Sequence, residues 1–562
     1  MADPVSALAA KVAEWVGMTV WQVVSNPALG LSTSTAATIA NVAQLTAQAV
    51  VTVASYAGLA MLTRPEIPKA SAGKFTVQQT MPPRIRVVNT ARVGGGLMLK
   101  ENKRNLYIVK ALCQAPVKSV PDFWFHSDKV TRNATTGRVT APPGANSGRY
   151  KGNGSWLFYR LGAIPETSYN DGVVRNGETF DDLGAGVWTT NHRLDGICSV
   201  CGIFAPVEKA DYAKYLPFGH PEISARPVGK VYDWRKDSTR GGSGPQRLDD
   251  WSTWDESANV IVWLATKKCG PPEGDRFQER FIKRILGQVD AWTQAADDCD
   301  DAIALAAGGT APRYRTGGGW HTDEHDDVEV CKRLLAACDG FMLEGGNGSV
   351  HVQVGKWREP TFTLPKEHVI RLTRSTGQTV ETHKNRYDIR YTDPARDWAL
   401  VPGDPWEDAA DIALHGKKPA DFIADWVMDH AQARRLAKIS MKRQRPASRG
   451  TVTATLYLLN LFWGAPASGV ANRRWFNIER EKADGTIETI LAEVAGAPRF
   501  DIKTMSVTVD WIEASAATYD WNAATEEGAV PAPTAPTPTT EVTPDPVGLS
   551  LVVTSTFDHL VP

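Results

Sequence analysis

The chain has 562 residues, 42% of them apolar and 22% charged, with a formal net charge of -1. That length predicts several domains, and the balance is that of a folded soluble protein. Near-zero charge excludes a protein held globally to nucleic acid, though not local basic patches. The seven cysteines are scattered and odd in number, unlike a disulfide framework, and read as buried thiols made in a reducing compartment. "CSVC" (Cys198, Cys201) lacks the second ligand pair that a structural zinc site needs. Nineteen Trp suit either broad partner contacts or aromatic cores in β-domains.

From Trp15 to Thr63 no residue is charged. "SNPALGLSTST" breaks this stretch, and Ala36 to Leu62 is long enough to cross a bilayer. Asp3, Lys11 and Glu14 exclude a signal peptide. Asn41, Gln48 and Ser55 sit seven apart, with Thr38 and Thr52 beside them, so a helix here carries one uncharged polar stripe. Three readings stay open: an oligomeric bundle with the stripe inward, a membrane-active helix, or an ordinary core helix. "TRPEIPK" ends the segment.

After Ala70 apolar and polar residues alternate and glycines break the pattern at 94–96, predicting short strands and hairpins as far as about 235. "ICSVCGIFAP" (197–206) is one such strand. "VGKVYDWRKDSTR" (Val228 to Arg240) reads as a strand end running into an exposed, charged turn.

A helical block follows. Helices are predicted in Glu256 to Gly270, in "FQERFIKRILGQVDAWTQAADDCD", and in Asp323 to Gly340, the last with an apolar face of Val328, Cys331, Leu334, Leu335 and Cys338. "HTDEHDD" places His321 and His325 four apart, which suits a metal if helical, but an acidic helix start explains the same residues. "GFMLEGGNGSVHVQVGKW" predicts a hairpin. Tyr387 to Tyr391 is a strand ending in Asp-Pro, followed by a helix and a basic run. Arg434, Arg435, Lys438, Lys442, Arg443, Arg445 and Arg449 suit phosphate contact, or more simply a solvated helix face. "VPAPTAPTPTTEVTPDP" is an extended linker, followed by one or two strands that suit docking to something else.

No nucleophile elbow, Walker loop, zinc-protease or kinase signature is present, and "RTGGGW" lacks phosphate-loop spacing. No enzyme and no cofactor is expected. The fold class expected is α+β, a β-rich multidomain body with an apolar helical N-terminus and a Pro-rich linker. The domains are set at 1–70, 71–240, 241–345, 346–455, 456–529 and 530–562.

The order of motifs resembles the tail tip (baseplate hub) proteins of long-tailed bacteriophages, the family of the lambda tip attachment protein, and related hubs of gene transfer agents. "PPRIRVVNTARVGGGLMLKENKRNLYIVKALCQAPVKSV" is similar to the family's first hub domain. "GKVYDWRKDSTR" resembles its "VYDPR" element, with Trp234 where Pro is frequent, and the helix "ANVIVWLAT" follows. "DDCDDAI", "RYRTGGGW" and "VCKRLLAACDGFMLEGGNGSVHVQVGKW" follow its order, as do "KNRYDIRYTDPARDW" and "AQARRLAKISMKRQR". The resemblance spans roughly residues 80 to 530. The fibronectin-like and receptor-binding regions of longer relatives are not expected here.

The resemblance implies a homotrimer at the virion's tail tip, assembled in the bacterial cytoplasm. It would close the tail tube beneath the distal tail protein and contact the tape measure protein and other tail tip proteins. It would carry a central fibre protein and open for DNA to pass without sequence-specific binding. Asp233, Trp234, Arg235, Arg240 and Trp398 are the expected contacts between hub domains or subunits. The stripe of Asn41, Gln48 and Ser55 would plug the lumen or enter the host membrane. The rival readings are a peptidoglycan hydrolase and a membrane-anchored surface protein.

Overall fold

The computed structural model describes residues 84–102, 105–140, 154–170, 188–206, 221–272, 274, 276–322, 326–345, 347–377, 382–466 and 469–531. The chain divides into two units, Met1–Phe75 and Thr76–Pro562, and everything described lies in the second. The uncharged segment with Asn41, Gln48 and Ser55 lies outside the described residues, as do His325 and all but the first two residues of the Pro/Thr linker. Among the described residues no helix is long and apolar enough to cross a membrane.

The N-terminal body holds β1 (Ile85–Val88), β2 (Gly96–Asn102), β3 (Leu106–Gln114), β4 (Val117–Phe125), β5 (Asp128–Arg132), β6 (Val139–Thr140), β7 (Ser155–Arg160), β8 (Ile197–Phe204) and β9 (Ile223–Gly229). Two antiparallel four-stranded sheets form, β2-β3-β8-β7 and β6-β5-β4-β9. Strand side chains alternate between faces. Leu106, Ile108, Leu157, Cys198, Val200 and Phe204 therefore enter one core with Phe123, Phe125 and Ile223 of the other sheet. Tyr107, Val109, Phe158, Cys201 and Ile203 enter a second core on the opposite face. Cys198 and Cys201 are three apart on β8, so their thiols point to opposite faces and share no ligand site. Cys198 instead stands across the strand pair from Cys113.

The centre holds α1 (Val260–Cys269), α2 (Phe277–Arg284), α3 (Val289–Asp300), the hairpin β10 (Ala302–Ala304) and β11 (Thr310–Pro312), and β12 (Gly318–His321). It continues through α4 (Asp327–Ala336) and the hairpin β13 (Phe341–Glu344) and β14 (Val350–Gln353). Asn259 caps α1, its Oδ1 accepting from the N–H groups of Ile261 (3.0 Å) and Val262 (3.3 Å). Gly270 ends that helix at φ 94°. His321 lies in a strand paired with β1, not in a helix as a His-x-x-x-His metal pair requires. The apolar face of α4 is also shifted from expectation. Val330, Leu334, Ala337 and Cys338 are buried, whereas Val328 is 56% exposed.

Beyond lie β15 (Thr363–Leu364), β16 (Val369–Leu372), β17 (Ser375–Thr376), β18 (Arg386–Asp393), β19 (Ala399–Pro402), β20 (Trp406–Glu407), α5 (Ala409–His415), β21 (Pro419–Ala424) and α6 (His430–Gln444). The C-terminal part adds β22 (Ser448–Thr455), α7 (Leu459–Trp463), β23 (Trp475–Glu481), β24 (Ile487–Val494), β25 (Arg499–Asp501), β26 (Ser506–Glu513) and α8 (Ala523–Glu526). Strand β18 is flanked by β19 and β20, with β21 parallel to it. Eight strands make the largest sheet, ordered β15-β23-β24-β26-β22-β16, with β17 on β22 and β25 on β26. Its own core joins Val452, Phe476, Ile490, Val509 and Trp511 to Leu458, Leu461 and Phe462. A single apolar cluster runs from Val88 through Trp234, Trp292, Val352 and Tyr391 to Met441. The described fold is β-rich with few helices.

Candidate functional site

The turn after Tyr232 is not the solvated surface that its charges suggest. Asp233 is 2% exposed and Asp237 is fully buried. Each aspartate starts a one-turn helix: Trp234–Lys236 for Asp233 and Ser238–Arg240 for Asp237. The side-chain oxygens accept the orphan N–H groups of Arg235 (3.1 Å) and Thr239 (2.8 Å). Tyr232 donates its hydroxyl to Asp237 at 2.7 Å, and Asp233's own N–H donates to Gln246 at 2.8 Å. Burial pushes the Asp237 carboxyl up, but donors from Thr239 and Tyr232 and the nearby Arg247 hold it below its usual value.

Arg235 turns this element into a joint. It grips Asp233 (2.9 Å) and reaches α3 at Asp297 (2.8 Å) and Asp300 (2.9 Å). Trp234 is buried edge-on to Trp292, and its Nε1 donates to Thr293 at 2.9 Å. Arg240 is exposed. Gly242 is required here, because a Cβ would lie 2.4 Å from the Arg235 carbonyl oxygen.

A second joint uses the same helix. Asp298 accepts from Arg358 (2.8 Å) and Lys356 (3.0 Å), while Asp301 pairs with Arg313 (2.7 Å). Tyr314 donates to the Gly355 carbonyl at 2.6 Å. The acidic run 297–301 thus meets cations from three separate segments.

The third joint ties the large sheet to the centre. Arg474, 1% exposed, donates to the Asp339 carboxylate (2.7 Å) and carbonyl (2.7 Å), to Glu493 (3.0 Å) and to Tyr519 (3.0 Å). Arg443 completes the set at 2.8 Å from Asp339 and 2.6 Å from Glu493. Two guanidiniums face two carboxylates, so the buried charges balance.

Three cations of α6 correct the expectation of a solvated or phosphate-facing helix, whereas Lys442 on the same helix and Arg449 beyond it are exposed. Arg434, Arg435 and Lys438 are 7%, 4% and 4% exposed. Arg434 binds the Asp404 carboxylate (2.6 Å) and the Glu526 carbonyl (2.9 Å). Arg435 donates to the Arg313 carbonyl (2.5 Å), and Lys438 to the Asp520 carbonyl (2.6 Å). Trp406 and Trp521 lie against these cations, with Arg434 5.4 Å from the Trp406 ring and Arg435 5.5 Å from the Trp521 ring. Gln432, also buried, bridges the Arg315 backbone and the Ala337 carbonyl.

Trp398 closes a contact with the N-terminal body. It meets Trp124 edge-on at 6.0 Å and lies under Arg226 at 5.4 Å, while Asp397 pairs with Arg92 at 3.4 Å. Both Asp397 (φ 56°) and Trp398 (φ 59°) hold left-handed backbone, a conformation that costs a non-glycine residue free energy. Asp233, Trp234, Arg235 and Trp398 therefore all sit in contacts within one chain, and Arg240 alone of the five faces outward. The charge pattern could not distinguish those cases, since a buried joint and a solvated turn use the same residue types.

Two features beyond the joints bear on ligands. A cavity of about 390 Å³ opens among Trp251, Trp254, Trp263 and Trp320, with Arg86 and Lys267 also on its wall. Among the described residues, His383, Asp411 and His415 are grouped closely enough to hold a metal ion.

No family model and no curated protein matches the sequence. The fold is similar to a chain in the virion of a native gene transfer agent particle, at 12% identity and a TM-score of 0.45 over 83% of this chain and 97% of that one. It is also similar to the 43 kDa tail protein of prophage MuSo2 from Shewanella oneidensis, at 11% identity and a TM-score of 0.25, covering 70% and 98% of the two chains. A tail protein from Neisseria meningitidis MC58 aligns at 10% identity and a TM-score of 0.25, covering 77% and 95%.

Proposed function

We propose that this chain is a non-enzymatic structural subunit of a phage-type tail. It acts as a homotrimeric tip hub that closes the tail tube and opens for DNA to leave. One observation carries the reading: the motifs that give the resemblance are also the residues that close the joints. The Asp233–Arg235 turn, the acidic run 297–301, Arg313–Tyr314, Asp339 and the α6 cations each pair with a distant segment. A motif series spread over the chain then reflects one assembled body rather than one catalytic centre. Buried ionic contacts favour a single arrangement of packed parts, which suits a device that changes between defined states.

In this reading the distal tail protein, the tape measure protein, other tip proteins and a central fibre meet the outer surfaces. Arg240, exposed like Lys236 of the same charged turn, is left for a second copy. The stripe of Asn41, Gln48 and Ser55 is assigned to the lumen or the host membrane. The test is the mass of the purified protein by light scattering, with and without residues 1–65. A trimer in both forms supports a hub whose threefold contact lies in the body. A monomer in both, up to the solubility limit, overturns the trimer.

A further inference from the structure

Asp411 and His415 lie one turn apart on one face of α5. His383 comes to them from the loop that enters β18. Asn385, fully buried, fixes that approach. Its Nδ2 donates to Asp411 Oδ2 (2.9 Å) and to the Gly416 carbonyl (2.7 Å), while its Oδ1 accepts from the Lys418 N–H (2.7 Å). One side chain thus ties the His383 loop to the middle of α5 and to the turn beyond it. His383 Nε2 is 2.6 Å from Asp411 Oδ2, and His415 Nδ1 is 3.0 Å from Oδ1. The two imidazoles meet edge-to-face at 5.1 Å.

We propose that His383, Asp411 and His415 form a binding site for a transition-metal ion of the Zn²⁺ class, with further positions filled by water. All three ligand atoms lie within 4.8 Å of one another. Two imidazoles and one carboxylate suit Zn²⁺, Co²⁺ or Ni²⁺ rather than Mg²⁺ or Ca²⁺. Ligands on a tetrahedral zinc ion stand about 3.3 Å apart, given bonds of about 2.0 Å. The present N···O distances must therefore open by a fraction of an ångström. His415 can supply that movement, because its side chain is 53% exposed and it ends the helix. Each imidazole would bind neutral, with its hydrogen on the other ring nitrogen.

Arg445 is the nearest opposing charge, its Nη1 3.4 Å from Asp411 Oδ2. Its Nη2 is held at 2.6 Å by Asp408, so the guanidinium backs the carboxylate rather than filling the ligand position. Asn385 then serves as the outer hydrogen bond that orients a ligating carboxylate, with the Arg445 charge behind it. Lys417 is turned to Glu407 at 3.0 Å.

The test is titration of tag-free full-length protein at neutral pH with CoCl₂ and with ZnCl₂, followed by optical absorption and calorimetry. One Co²⁺ per chain is expected, with visible d–d bands that Zn²⁺ abolishes. His415→Ala, on the surface, and His383→Ala should each weaken binding at least about tenfold. His192→Ala, an exposed histidine elsewhere, should leave it unchanged. Absence of saturable binding overturns the site. So does binding that survives both substitutions, or a thiolate charge-transfer band that assigns the ion to cysteine.

Discussion

The N-terminal body and the centre are held together differently. Between β1 and β9, Lys110 is the only charged side chain buried among the described residues, and it donates to the Ile223 carbonyl at 2.9 Å. Burial pulls that ammonium down to about 8. The two sheets otherwise meet through apolar side chains. From Asp233 onward the buried set includes Asp237, Asp298, Arg434, Arg435, Lys438, Arg474 and Glu493. Apolar burial is non-directional and tolerates small shifts. A buried ion pair is sensitive to the loss of either partner, because the survivor is left charged and dry. The first region should therefore respond to lost volume, and the second to lost charge.

The largest expected effect comes from breaking the Arg474 joint. Arg474→Ala leaves Asp339 and Glu493 with only Arg443, and should cost about 3–5 kcal/mol in urea unfolding. Leu112→Ala in the N-terminal body should cost about 2–5 kcal/mol through its cavity alone. That loss should hold across pH and salt. If both losses respond alike to pH, the contrast fails.

Acid sharpens the comparison. His351 on β14 is 4% exposed, and burial, with Arg473 nearby, pushes its imidazole down from 6.5 to about 3. The folded form keeps this ring neutral while the unfolded chain protonates it below 6.5. Its contribution is therefore complete above that pH and is lost as pH falls towards 3, at about 1.4 kcal/mol per pH unit. His351→Gln should flatten the acid limb of the urea midpoint against pH, whatever it does at neutrality. An unchanged slope would exclude His351 as the source.

The smallest effect is expected at Arg235. Its guanidinium is partly solvated, and two of its partners, Asp297 and Asp300, are exposed. Arg235→Lys keeps the charge but loses the fork that spans three carboxylates, and should cost about 1 kcal/mol. Raised salt should narrow the difference from wild type. It should not narrow that of Arg474→Ala, which is shielded from solvent.

Periodicity made much of the fold legible. The strands at 197–204 and 386–393, the helix at 260–269 closed by Gly270, and the hairpin at 341–353 all follow from local pattern and turn chemistry. Local pattern failed where burial is decided by a distant segment. Val328 had the spacing of a core residue but faces outward, because α4 packs through Val330 and Leu334. Arg434, Arg435 and Lys438 had the composition of a solvated face. They are buried because Asp404, Asp520, Glu526 and the Arg313 backbone, up to 122 residues away, close over them.

By itself the sequence determined the β-rich class, most element positions and the motif order behind the tail-hub reading. These rest on interactions within a few residues, which the chain states directly. Only the tertiary structure decided which charges are buried and where they pair. It alone set Cys198 across from Cys113, and it alone gathered His383, Asp411 and His415. Those outcomes depend on contacts between segments tens to hundreds of residues apart, where residue type fixes what can pair but not what meets.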